Sequence, residues 1–536
     1  MAYCSKCKRD YPESMKFCHE CGSPLEIKAS EEENTAAELT PASAEVKRAK
    51  TKLGAQKTVL FLSLITVVVA FAMIVGVLLI VGIAAEKPNY ALYVRDGELV
   101  YVGVSNRESI NLTDSVDSVD GYLITVSCDR QYIIYPGAKA YDGGYSLYVK
   151  SLRDSAKTDV KISSSVLRYE PSEDGRSIVY LEGDGDLYRY DINDEDKSKV
   201  STEVKYFAVS ENFKNVLYIT KDGKLCVDSE AIAEGVDDVR YYSNDFSLIA
   251  YSKSVDLNVI VDLEESKKLL DYYSGLEAFG EDGAFLYTYQ ADADPAGAIE
   301  RVYYCDKTKN EMVVEHGYVV SVAKDAPLAV VRAKEGDDTK YGTYLLCEDE
   351  LYPLEMEGEF YQSNFLFVDG GKALYYIDSQ DSQVSKGDLW KLELSKNGEI
   401  KSRAKVDSGI SFMGLYECNG SAVYYKNNTG GGGDLYVDGE LVDYEATVAY
   451  IVENTVYYYT NKDQSSGTLK VYRNGRSEKI SENVYDFDVS FGGEVFYLTN
   501  YDTSRDEGDL YLYRNEKSIL IESGVESLLN VYNREK

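Results

Sequence analysis

IVYLEGDGDLYRYD, residues 178–191, reads as an apolar strand ending in tyrosine, a glycine turn, and a second strand opening Asp-Leu-Tyr. The same succession returns as VLYITKDGKLCVD (216–228), ALYYIDSQDSQVSKGDLWKLE (373–393) and AVYYKNNTGGGGDLYVDG (422–439). Two further copies follow, VYYYTNKDQSSGTLKVYRNG (456–475) and VFYLTNYDTSRDEGDLYLYRN (495–515). Together with Leu147, they align on Leu187, Leu225, Leu389, Leu435, Leu469 and Leu510, with successive separations of 40, 38, 164, 46, 34 and 41 residues.

A period near 40 with four short strands per unit is the signature of propeller blades, each burying its sheet faces only by stacking on its neighbours. The 164-residue gap fits four degenerate units, with strands near LNVIVD (257), RVYYCD (301) and TYLLCED (343). About ten units result. The expected fold class is all-β: β-propeller repeats as one large ring or as two rings divided near residue 300. The last partial unit, 509–536, is expected to pair with a first strand at 91–104 and close a ring. Tyrosine is heavily used (49 residues), and aromatic, β-branched, glycine-punctuated sequence favours strands.

The stretch EPSEDGRSIVYLEGDGDLYRYDIN (170–193) resembles the repeat of TolB-type propellers. That repeat combines a Ser-x-Asp-Gly turn, an Ile-Ala-Tyr-like strand, and a Gly turn leading to a Leu-Tyr strand. The chain also has features of the low-density-lipoprotein-receptor class of propellers, but lacks their Tyr-Trp-Thr-Asp tetrad. The resemblance implies a scaffold presenting loops around a central channel, and no particular ligand.

Upstream of the repeats lies Thr58 to Ala85, TVLFLSLITVVVAFAMIVGVLLIVGIAA, 28 residues without a charge. As a helix it would be about 42 Å long, enough to cross a hydrocarbon core of about 30 Å. It is too long, and begins too late, for a signal-peptide core. Lys47, Arg48, Lys50, Lys52 and Lys57 precede it, which places the N-terminus in the cytoplasm and residues 90–536 outside. The chain is expected to be a single-pass membrane protein with an extracytoplasmic propeller domain.

Residues 1–89 hold 11 Lys/Arg and 10 Asp/Glu, which leaves 46 and 81 for residues 90–536. So acidic a surface repels nucleic-acid phosphates and other polyanions. The five cysteines after residue 100 are scattered singly, a pattern of buried thiols rather than of a disulfide framework.

The N-terminus, YCSKCKRDYPESMKFCHECGSPLEI (3–27), carries two C-x-x-C pairs. Cys4, Cys7, Cys18 and Cys21 are spaced to surround one structural zinc ion (Zn2+), and in a segment this short the metal would supply most of the folding energy. The pattern resembles the short zinc ribbons at the N-termini of many bacterial membrane proteins, with Lys8 replacing the usual glycine after the first knuckle and Gly22 keeping it after the second. Residues 1–26 are thus expected to form a zinc ribbon and 27–57 a flexible cytoplasmic linker.

No catalytic motif stands out. The outer piece has one histidine, His316, in a strand-like run, and no G-x-S-x-G elbow. DINDEDKS (191–198) and ADADP (291–295) are short acidic stretches with some oxygen-ligand character for calcium but without a full loop pattern. The leading expectation is a non-enzymatic binding or sensing protein. Its propeller would engage an extracytoplasmic protein or cell-envelope polymer, and its ribbon a cytoplasmic protein. The alternatives are an envelope hydrolase or lyase using propeller carboxylates or tyrosines, and a structural assembly scaffold. Charged and aromatic groups converging at one channel mouth would favour the enzyme, and a broad apolar or Tyr-rich patch would favour binding.

Overall fold

The computed structural model describes residues 2–4, 9–11, 26–27 and 90–529, the last span apart from short stretches, chiefly 105–108, 114–123, 140–142, 154–158, 291–299, 335–340, 357–363 and 379–385. In the N-terminal unit the strand Ala2–Cys4 pairs with Arg9–Tyr11, Cys4 opposite Arg9, and on its other side with Glu26–Ile27. Cys7, Cys18, Cys21 and the apolar run 58–85 lie outside the described residues. No helix among the described residues is long and apolar enough to cross a membrane.

From Tyr90 onward the described strands form eleven four-stranded antiparallel blades, each a simple meander of strands a to d. Blade 1 comprises residues 90–113 with Ser527–Leu529, and blades 2 to 6 comprise 125–163, 166–201, 204–233, 238–270 and 273–314. Blades 7 to 11 comprise 317–353, 365–411, 416–443, 446–481 and 484–525. Three long strands each serve two blades, as outer strand d of one and then inner strand a of the next: Val160–Pro171, Glu440–Val452 and Arg476–Val489. They change allegiance at Val166, Ala446 and Val484, three fully buried residues.

The blades close into one ring. Eleven separate apolar cores occur among the described residues, one at every junction between consecutive blades and one between blades 11 and 1. Strand Ser527–Leu529 pairs with Tyr90–Arg95, Leu92 opposite Leu529, so the end of the chain completes the blade begun at Tyr90. That closure is where the sequence placed it. No break falls near residue 300, which lies in strand c of blade 6, Glu300–Asp306, flanked by cores on both sides. Three units rather than four fill the gap between Leu225 and Leu389, and Leu99 marks the blade that has no copy of the repeat signature upstream of Leu147.

The repeat signature is strands b and c. A b strand is sandwiched between two junction cores: Ile178 and Tyr180 face blade 2 while Val179 and Leu181 face blade 4. Burial on both faces is why these strands read as unbroken apolar runs rather than alternating ones. The seven aligned leucines are all fully buried in c strands. In ten blades the pairing of strand d slips by a bulge beside that position, as between Leu187 and Tyr188 or Leu469 and Lys470. A bulge increases local twist, which each blade needs to fit its wedge of the ring.

The Ser-x-Asp-Gly turn joins strands a and b. Ser172 Oγ donates to Asp174 (2.7 Å) and accepts the Ser177 amide (3.0 Å), and Asp174 accepts the Arg176 amide. Ser210 with Asn212 and Ser243 with Asp245 repeat the pattern. Hydrogen bonds from Ser247 hold the Asp245 carboxyl down to about 2.

Candidate functional site

Strand a of each blade is innermost, and a strands of neighbouring blades approach one another around the ring's channel. The outer d strands are largely exposed and polar, as in Asp196–Ser201. In most blades the a strand carries a bulge of its own, with an extra residue such as Leu167, Lys205, Arg240 or Ser274 opposite no partner. Bulges and charges at this unpaired edge also prevent the inner strands from templating aggregation.

Two sectors of the channel wall differ in chemistry. Across blades 3 to 5 it carries paired charges and aromatic rings. The Arg168 guanidinium pairs with Glu170 (2.6 Å) and lies 5.2 Å from the Phe207 ring centre and 5.6 Å from that of Tyr206. Lys205 reaches the next blade, donating to the Asp237 carbonyl (3.0 Å). Arg240 pairs with Asp238 (3.2 Å).

Across blades 7 to 10 the wall mixes apolar side chains with polar and acidic ones. A cleft of about 800 Å³ is lined by Val322, Phe365, Leu366, Phe367, Leu415, Tyr416, Val448 and Ile451, with Asp325, Asp369, Glu417 and Asn419 at its a–b turn end. Tyr416 is 41 % exposed, and Leu366, Phe367, Leu415, Val448 and Ile451 are half-buried. Phe367, Val448 and Ile451 each also pack against a junction core, so the scaffold fixes the surface they present. At the mouth the Asp369 amide donates to Glu417 (3.2 Å), and Asp369, Gly370 and Gly371 all take left-handed backbone conformations. A Cβ on Gly371 would come within 2.5 Å of Ala326, so only glycine lets this turn lie against blade 7.

Aromatic side chains recur around the wall: Tyr206, Tyr242, Tyr273, Tyr318, Phe367, Tyr416, Tyr450 and Tyr485 stand on the a strands of blades 4 to 11, none fully buried. Composition alone does not separate these from the structural tyrosines. Their signal is their position one strand upstream of each Leu-marked pair. Burial pushes the Tyr450 hydroxyl up to about 12.

The remaining sequence candidates are not brought together. His316 lies in the bend between Asn310–Val314 and Gly317–Val322 rather than within a strand. Its backbone carbonyl accepts the Lys334 amide, and its imidazole enters no hydrogen bond among the described residues. In 191–198, Asp191 accepts the amides of Asn193 (2.9 Å) and Asp194 (3.1 Å) as an ordinary turn, and 291–295 lies outside the described residues. No cluster of three metal-binding side chains occurs among the described residues, which include only Cys4 of the four expected zinc ligands, and that by its backbone. Cys226, Cys305, Cys347 and Cys418 are buried and packed in junction cores.

No family model and no curated protein matches the chain. Among solved structures, it is similar to a eukaryotic initiation factor at 9 % identity, covering 75 % of this chain and 98 % of that one, with a TM-score of 0.38. It is also similar to the β-propeller domain of the trilobed protease from Pyrococcus furiosus, described as having an open velcro topology, at 9 % identity over 82 % and 99 % of the two chains (TM-score 0.25). A third is the tricorn protease, at 12 % identity over 83 % and 47 % (TM-score 0.23). At these scores the likenesses carry no argument about this chain. The propeller is read from its own strand pairing and closed set of junctions.

Proposed function

We propose that this chain is a membrane-anchored binding or sensing protein that displays its propeller outside the cell and engages a protein or cell-envelope polymer through the channel wall. The observation that carries the reading is the cleft of blades 7 to 10, where half-buried apolar and aromatic side chains held by the scaffold stand beside Asp325, Asp369 and Glu417. A concave site with apolar side chains and a few convergent polar groups is the usual form of a binding site. The uncharged run 58–85, with lysines and arginine before it, supports the anchor and its orientation. The four cysteines Cys4, Cys7, Cys18 and Cys21 would hold a structural zinc ion on the cytoplasmic side, a closed site without an open coordination position.

Topology is the first thing to measure. Protease added to intact cells should digest residues 90–536 and spare a fragment containing the first 57 residues. Protection of the propeller, with loss of the N-terminus, would refute the arrangement.

A further inference from the structure

A second cleft, away from that of blades 7 to 10, has the make-up of a small-ligand site. It lies between blades 5 and 6 on the face carrying the b–c turns, has a volume of about 860 Å³, and is lined by Arg240, Val255, Tyr272, Tyr273, Ser274 and Tyr289 among others. We propose that this cleft binds an uncharged glycan chain.

Tyr272 is 65 % exposed and takes a left-handed backbone conformation (φ 56°), which bulky side chains rarely adopt. Phe246 shares that conformation but buries its ring in the core of blades 4 and 5. Tyr272 gains no such burial. Beside it Lys268 pairs with both Asp256 (2.7 Å) and Asp271, the residue before Tyr272. The ring stands in solvent at the edge of the cleft.

The surroundings are polar without net charge. Arg240 is neutralised by Asp238 and lies 5.8 Å from the Tyr273 ring centre. Ser274 Oγ and Thr288 Oγ1 lie 2.9 Å apart beside Gly275, where a Cβ would come within 3.0 Å of Thr288. A flat aromatic face packs on the C–H face of a pyranose, while hydroxyls and a guanidinium meet its equatorial hydroxyls; a volume in the range of ligand sites accommodates more than one ring. The −34 charge of the chain disfavours a polyanionic glycan, and the cleft lining has no carboxylate to meet a cationic one, which leaves neutral chains.

This inference rests on the binding reading but uses a different cleft of the ring, so the two can fail separately. The test is calorimetric titration of the full chain in detergent with hexamers of β-1,4-linked glucose and of β-1,4-linked N-acetylglucosamine. At least one should bind, and Tyr272→Ala should weaken it fivefold or more. Tyr272→Gly, which adopts the left-handed turn freely, should weaken it equally, while Tyr444→Ala, at an equally exposed tyrosine on an outer strand, should not. Binding of neither hexamer, equal binding by the Tyr272 variants, or displacement of the hexamer by a tyrosine-rich peptide would overturn the proposal.

Discussion

Tyrosine is the residue on which this ring depends. In ten of the eleven blades a buried tyrosine occupies the same place in strand b, diagonal to the aligned c-strand position: Tyr93, Tyr135, Tyr180, Tyr218, Tyr251, Tyr287, Tyr376, Tyr424, Tyr458 and Tyr497. Several reach an outer strand with the hydroxyl. Tyr287 donates to Asn310 (2.7 Å), Tyr424 to Asp407 (2.7 Å), and Tyr458 to Asp443 (3.1 Å), which also accepts from Lys470 (2.7 Å). The ring fills a core and the hydroxyl ties down an otherwise exposed strand. Blade 7 has Val331 at this place, and it alone lacks the c–d bulge. Tyr458→Phe should lower stability by about 1–2 kcal/mol in urea unfolding, because Asp443 loses a buried partner. Tyr444→Phe, at a ring 64 % exposed, should change it by less than about 0.5 kcal/mol. The aligned leucines were legible because every blade buries that position. The channel-facing tyrosines were not, because a half-buried aromatic and a core aromatic look alike in sequence.

At the scale of elements, strands b and c were legible and strands a and d were not. Doubly buried strands leave an unbroken apolar run. Inner and outer strands bury one face or less, so VKISSSVLRYEP (160–171) and RSEKISENVYDFDV (476–489) carry no continuous apolar signal even though each builds two blades. The Ser-x-Asp-Gly turn was legible because its chemistry is local. Gly175 in that turn has φ 66°, and a Cβ there would lie 2.3 Å from the Cβ of Ser127 on the neighbouring blade. Gly97 has φ 72° with open space around it. Gly97→Ala should therefore cost about 1 kcal/mol from backbone strain alone, and Gly175→Ala clearly more, with the difference in urea midpoints reporting the inter-blade clash. Equal costs would mean that the turn does not pack on blade 2 as described.

At the scale of the molecule, eleven blades exceed the four to eight common in single rings. A ring this wide has an inner wall broad enough to present different chemistries in different sectors, here ion pairs and aromatic rings at blades 3 to 5 and a cleft of mixed apolar and acidic side chains at blades 7 to 10. Wide rings also depend on closure, since each blade is stable only between two neighbours. Removing residues 527–536 takes Leu528 from the core between blades 11 and 1 and the fourth strand from blade 1. The truncated chain should unfold at lower urea and less cooperatively, with blades 1 and 11 losing amide-exchange protection first; unchanged protection there would show that the strand is dispensable. The repeat period and the closing strand were readable from sequence. The wall's sectors were not, because they arise from residues some 100 positions apart that only the ring brings to one side.

The claim that the channel wall is the binding surface is tested most directly by photo-crosslinking in intact cells from a single reactive residue at position 416, with position 444 on an outer strand as reference. The ring predicts a discrete crosslinked product from 416 and none from 444. Identical products from both positions, or none from 416 with the propeller shown to be folded and outside, would contradict it.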